Sequence, residues 1–119
     1  MGNPVTHFEV VGKDPNLLQH FYAEAFGWEM KQQIPGYAMV HTGSREGIAG
    51  GVGAAMNGGS GHVTFYVQVE DITAALRRVE ELGGKTVMPS TQIPDGPTIG
   101  LFHDPEGHLI GLAVPVAPL

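Results

Sequence analysis

The chain has 119 residues, of which 42% are hydrophobic and 15% are charged, a composition typical of a folded domain rather than of a disordered or fibrous chain. Twelve acidic residues against six basic ones give a net charge of −6, which excludes the basic surface that binding to nucleic acid requires. The sequence has no cysteine, so disulfides, thiolate nucleophiles and cysteine-ligated zinc are excluded, and any metal must be held by histidine and carboxylate side chains.

The first half of the chain is predicted to form a strand, a helix and three further strands. Alternating polar and apolar residues place His7 and Glu9 on one face of the first strand. Asp14 is the predicted N-cap of the helix, and Gly27 is its predicted end. Within the last strand, the Gly-Gly-Val-Gly run at 50–53 is typical of close approach by a ligand or a neighbouring strand. The three strands after the helix are bounded by glycine and proline turns: 28–33, 37–42 and 48–56.

The second half of the chain repeats this order. Alternation along 62–69 places His62, Thr64 and Tyr66 on one face of a strand and a continuous apolar row on the other. Each first strand is therefore expected to turn its apolar face toward a helix and its polar face toward a wetter region. The remaining elements are a helix that Asp71 caps and three extended segments: 72–82, 85–92, 98–103 and 108–114.

Matching landmarks recur in the two halves at a nearly constant spacing. The histidines of the two first strands, His7 and His62, are 55 residues apart, and the helix caps Asp14 and Asp71 are 57 residues apart. Spacing of this kind indicates an internal duplication. The sequence is therefore predicted to form one domain from two modules: domain 1–119, with modules 4–57 and 60–116.

Four motifs occur in a characteristic order along the chain: His-Phe-Glu-Val at 7–10, Phe-Gly-Trp at 26–28, Val-Glu-Asp-Ile at 69–72 and Asp-Pro-Glu-Gly-His at 104–108. In order and spacing they resemble the vicinal oxygen chelate superfamily, which contains glyoxalase I, bleomycin-resistance proteins and extradiol dioxygenases. The resemblance implies an α+β fold of two βαβββ modules, whose curled mixed sheet forms a concave cup. It also implies a homodimer whose cups bind small molecules.

The resemblance further implies a divalent metal held by the first and last strands of each module. The first-strand positions correspond to His7 and His62. The last strands depart from the pattern, because Gly111 stands where a glutamate is common and residues 48–52 carry no ligand side chain. Two imidazoles alone hold a divalent ion weakly, so we expect no standard metal site and no resident cofactor. The alternative is that Glu9 joins the two histidines in a two-histidine, one-carboxylate site.

The expected catalytic residues are Glu9, His7 and His62. Glu9 would act as general base and either histidine as its acid partner in proton transfer beside a carbonyl group, since a carboxylate on an inner strand face needs a partner. The hydroxyl pair of Thr64 and Tyr66 is expected to orient a substrate oxygen. A structural interpretation stays open, in which the histidines only hydrogen-bond and the aromatic residues only pack. Further residues expected to line the cup are Trp28, Tyr37, Met39 and His41.

Three functions fit these residues. The favoured one is a glyoxalase- or bleomycin-resistance-like protein that binds a small polar organic molecule without the standard metal. The first alternative is a metal-dependent lyase, isomerase or dioxygenase with His7, His62 and Glu9 as ligands, and the second is a resistance protein that sequesters a drug without turnover. A soluble cytoplasmic protein with no membrane partner is expected, because the sequence shows no secretory signal and no apolar run long enough for a membrane span.

Overall fold

The structure is a computed structural model, which describes residues 2–115 apart from the side chain of Asn57. In this part of the chain the elements follow the predicted order, which confirms the α+β class and the two βαβββ modules. The predicted module end at 116, and the predicted domain ends at 1 and 119, lie outside the described residues. The elements are β1 (Val5–Gly12), α1 (Pro15–Phe26), β2 (Glu29–Ile34), β3 (Tyr37–His41), β4 (Gly50–Ala54), a 3-10 turn (Met56–Gly58), β5 (His62–Gln68), α2 (Ile72–Glu81), β6 (Lys85–Gln92), β7 (Thr98–His103) and β8 (Leu109–Ala113).

The described residues form two compact units. The first unit is His7–Thr64, and the second comprises the described residues on either side of it. Strands lie in the order β2-β3-β4-β1 in the first unit and β5-β8-β7-β6 in the second. In both, the module's first strand is parallel to its last strand and the other neighbours are antiparallel. This repeated topology agrees with the duplication, although the division falls inside β1 and β5 and therefore places His62 in the first unit.

Both helices begin where their caps predict. Asp14 accepts a hydrogen bond from the backbone N–H of Leu17 at 3.0 Å, and Asp71 accepts one from the backbone N–H of Ala74 at 3.0 Å. A cap of this kind stabilises a helix by about 1 kcal/mol. Gly27 ends α1 in the left-handed conformation, with φ of 72°, which glycine adopts without steric cost. No helix within residues 2–115 is long and apolar enough to cross a membrane.

The apolar row of β5 does not face the core along its whole length, so this part of the prediction is wrong. Val63 is 74% exposed and Phe65 is 40% exposed, whereas Thr64 and Tyr66 on the opposite face are buried. Val67, further along the strand, does pack beside the buried side chains under α2. The middle of β5 therefore buries the face that carries hydroxyl groups.

Tyr66 lies at the centre of this buried face. Its ring packs with Ile99 and Leu101 in the core of the second unit. The ring also lies against Gly111 of β8, where an added Cβ would overlap the ring carbons. Glycine at this position on β8 leaves the space that the Tyr66 ring fills.

Candidate functional site

The polar side chains of the site extend from β1. Because successive side chains of a strand point to opposite faces, His7 and Glu9 share one face and Phe8 lies on the other. In the parallel pairing with β4, Phe8 is opposite Gly50 and Glu9 is opposite Gly51. The neighbouring strand therefore places no side chain beside Glu9, and the space is left for a group from elsewhere.

Four side chains of the first unit form one chain of hydrogen bonds. His62 Nε2 lies 2.8 Å from Glu9 Oε2, and the Tyr37 hydroxyl donates to Glu9 Oε1 at 3.0 Å. His7 Nε2 lies 3.0 Å from the same hydroxyl oxygen. Because the single phenolic hydrogen is directed at Glu9, the proton of His7 must be on Nε2, which donates to Tyr37. The Glu9 carboxylate thus accepts hydrogen bonds at both of its oxygens.

Glu9 is largely withdrawn from solvent. Its side chain is 12% exposed, whereas the side chain of His62 is 27% exposed. A carboxylate in such surroundings is costly unless donors satisfy it, and here His62 and Tyr37 supply them. Throughout residues 2–115, no buried side-chain nitrogen or oxygen lacks a hydrogen-bond partner. The carboxylate is therefore held in one orientation, with His62 as its more accessible partner.

Burial lowers the pKa of His7 below its ordinary value of 6.5, and the negative charge of Glu9 opposes this shift only in part. The folded state consequently favours the neutral imidazole, in which the hydrogen on Nε2 donates to Tyr37.

This shift predicts a pH dependence of stability. As the pH falls through about 6.5, His7 of the unfolded chain takes up a proton that the folded chain does not, so the free energy of unfolding should decrease. The contribution is fully present above that pH. We expect His7→Gln to show a weaker decrease than the wild type when urea unfolding is measured from about pH 7.5 to about pH 5.5. The control is His20→Gln, at an exposed position of α1; equal pH dependence in wild type and His7→Gln would contradict the prediction.

Gly51 makes room for the Tyr37 hydroxyl. A Cβ added at Gly51 would overlap both the hydroxyl oxygen and the ring carbon that carries it, and a Cβ at Gly50 would overlap the ring of Phe8. The interpretation of the glycine run as a site of close approach is therefore confirmed. The central position of Tyr37 was missed by the sequence analysis, which expects it only on the cup wall. The signal that could have indicated it is this glycine, which pairs with Glu9.

The implied divalent metal does not fit this arrangement. The Tyr37 hydroxyl lies 3.0 Å from both His7 Nε2 and Glu9 Oε1 and so occupies space that an ion bound to both would need. Gly51 and Gly111 provide no ligand atom, and in each unit a tyrosine fills the adjacent space. Among residues 2–115, no three histidine, aspartate, glutamate or cysteine side chains come together in a way that could hold an ion.

The structure does not bring every predicted site residue to this cluster. Trp28 packs against Phe8, with ring centroids 5.3 Å apart, and therefore lies on the face of β1 opposite His7 and Glu9. His41 is exposed at the end of β3. Thr64 is buried, and Tyr66 belongs to the core of the second unit. The substrate-binding roles of these residues stay predictions.

The chain is similar to known proteins in sequence and in fold. A family model described as the Glyoxalase/Bleomycin resistance protein/Dioxygenase superfamily matches residues 5–112. A glyoxylase-like domain-containing protein of Didymella fabae is 26% identical over 117 residues, which cover 87% of this chain and 88% of the relative. CFP32 of Mycobacterium bovis is 28% identical over 106 residues, which cover 83% of this chain but only 41% of CFP32. The crystal structure of methylmalonyl-CoA epimerase from Mycobacterium tuberculosis superposes with a TM-score of 0.66 at 18% identity, covering 95% of this chain and 88% of the epimerase, a likeness of fold alone.

Proposed function

Because the chain belongs to the glyoxalase/bleomycin resistance protein/dioxygenase superfamily, we propose that it binds a small polar carbonyl compound at Glu9 and His62 and moves a proton beside the carbonyl group without a divalent metal. The observation that supports this proposal most is the pair of hydrogen bonds to Glu9. Its two oxygens lie 2.8 Å from His62 Nε2 and 3.0 Å from the Tyr37 hydroxyl. Fold alone does not assign chemistry, so the proposal depends on these contacts.

Glu9 would act as the base. Its carboxylate removes a proton from the carbon next to the carbonyl group: the C–H bond breaks, an O–H bond forms on Glu9, and the electron pair moves to the carbonyl oxygen as an enolate. The proton then returns to carbon. Two fixed donors keep the carboxylate in one orientation, and positioned acid–base groups of this type contribute about 10²–10⁴-fold to a rate.

His62 would act as the acid partner. Its Nε2 is already bonded to Glu9, and its side chain is more exposed than that of Glu9, so an incoming molecule meets the imidazole before the carboxylate. A proton on Nε2 can be donated toward the developing enolate oxygen, where charge accumulates in the transition state. His7, whose Nε2 donates to Tyr37, contributes by holding the phenol in place.

A homodimer is part of the proposal. On α1, the apolar side chains of Leu17 and Phe21 stand one helical turn apart and are 63% and 57% exposed. Adjacent exposed apolar side chains of this size are typical of contact surfaces. They support a protein contact on this helix and leave the polar face of β1, which carries Glu9, for a small molecule.

Solvent deuterium exchange tests the proposed chemistry directly. We expect the wild-type chain in D₂O to exchange the hydrogens next to the carbonyl group of at least one member of a panel of small 2-oxo acids, hydroxyketones and 2-oxoaldehydes, followed by proton NMR. A chelator should leave the rate unchanged, because no step uses a metal. The proposal would be contradicted by exchange at the protein-free rate for the whole panel, or by loss of exchange on adding the chelator.

A further inference from the structure

The Tyr37 side chain stands between two groups that bind transition metals well. Its hydroxyl oxygen lies 3.0 Å from His7 Nε2 and 3.0 Å from Glu9 Oε1. The other oxygen of Glu9 lies 2.8 Å from His62 Nε2. Two imidazoles and one carboxylate form a common ligand set for divalent transition metals, and here the phenol separates its members.

The distances show how little His7 and Glu9 would have to move. Zinc binds imidazole nitrogen at about 2.0–2.1 Å and carboxylate oxygen at about 2.0–2.2 Å. An ion in the place of the hydroxyl oxygen would therefore need His7 and Glu9 each to approach by about 1 Å, within the reach of side-chain rotation. The Tyr37 hydroxyl and the ring that carries it stand in that space.

Gly51 is the second part of the arrangement. Any side chain at this position would overlap the Tyr37 hydroxyl and the ring carbon that carries it. The same glycine thus removes a side chain beside Glu9 and admits the phenol. Tyr37 in this position therefore requires glycine at position 51.

We propose that Tyr37, admitted by Gly51, is a specificity-determining residue that keeps divalent metal ions out of the site formed by His7, Glu9 and His62. The ring excludes the ion by occupying its space. The inference rests on the proposed function in that the wild-type site is taken to work without a metal, and it adds the residue responsible.

Tyr37→Ala tests this inference by removing the ring. We expect the variant to bind one Co²⁺ per chain at least about tenfold more tightly than the wild type, measured by equilibrium dialysis with elemental analysis and by the visible absorption of bound Co²⁺. Adding His7→Ala to Tyr37→Ala should abolish the gain, because a ligand is then missing. Tyr37→Phe is the matched control: it loses the hydrogen bonds but keeps the ring, and should gain no binding.

The outcomes separate this inference from the proposed function. A folded Tyr37→Ala chain without a gain in Co²⁺ binding would overturn the inference and leave the proposed function standing. An equal gain in Tyr37→Phe would also overturn it, because hydrogen bonding rather than the ring would then exclude the ion. Tight binding of one ion by the wild type would contradict both the proposed function and this inference. If Tyr37→Ala does not fold, Co²⁺ binding is measured on Tyr37→Val instead, and the same outcomes apply. Valine suits a strand and is too short to reach Gly51.

Discussion

Glu9→Gln is expected to lower the rate of deuterium exchange by about 10²–10⁴-fold, the contribution of a positioned general base. The amide has nearly the shape of the carboxylate but takes up no proton near neutral pH. It also replaces one acceptor by a donor, which faces either His62 or Tyr37. The loss of exchange follows from the missing base, whereas the lost hydrogen bond lowers only the stability of the fold.

The control for this variant replaces another glutamate by glutamine. Glu24→Gln makes the same change at an exposed position of α1 and should leave the exchange rate unchanged. The thermal midpoints of both variants show whether the fold is retained. An unchanged exchange rate in a folded Glu9→Gln chain would remove Glu9 from the proposed mechanism.

Gly51→Ala is expected to lower the free energy of unfolding by about 2–4 kcal/mol, because overpacking of a filled space is added to the loss of hydrogen bonds around a carboxylate. The new methyl group would overlap the Tyr37 hydroxyl. The phenol would have to leave its position between His7 and Glu9. Urea unfolding measures the change.

A double-mutant cycle identifies Tyr37 as the cause. In combination with Tyr37→Ala, the substitution Gly51→Ala should cost about 1–3 kcal/mol less than it does in the wild type, whereas Tyr37→Phe should not relieve the overlap, since the ring carbon still meets the methyl group. Gly59→Ala is the control: an added Cβ there approaches no atom closer than 3.4 Å, so the change should stay within about 0.5 kcal/mol. Additive costs for Gly51→Ala and Tyr37→Ala would contradict the proposed packing.

Much of the architecture follows from local signals in the sequence. The aspartate caps at Asp14 and Asp71 and the duplicated spacing of His7 and His62 predict both helices and the repeated topology, because capping and strand alternation depend on neighbouring residues alone. The pairing of Glu9 with a histidine follows from the cost of an unpartnered carboxylate. These features need no knowledge of strand register.

The position of Tyr37 depends on register and therefore could not be predicted. Tyr37 pairs with Gly53 in β4, and a bulge between Gln32 and Ile34 shifts its pairing with β2. The phenol then reaches along β4 to Gly51, two residues from its own partner. A shift of one residue would turn the ring to the other face, and no local pattern fixes that choice.

The sequence also does not predict which side chain of α1 is buried. The side chain that α1 buries is that of Gln19, although large apolar residues lie on the same helix. Gln19 donates to the carbonyl oxygen of Val52 at 2.9 Å and accepts from Gln32 Nε2 at 2.7 Å. These partners come from other strands, so the hydrogen bonds that allow a buried amide are set by tertiary structure.

Elemental analysis of the wild-type chain, purified without chelator, decides whether His7, Glu9 and His62 form an acid–base site or a metal site. We expect well below one transition-metal ion per chain, with no difference between the wild type and His7→Ala. Close to one ion per chain in the wild type, lost in His7→Ala, would contradict this expectation.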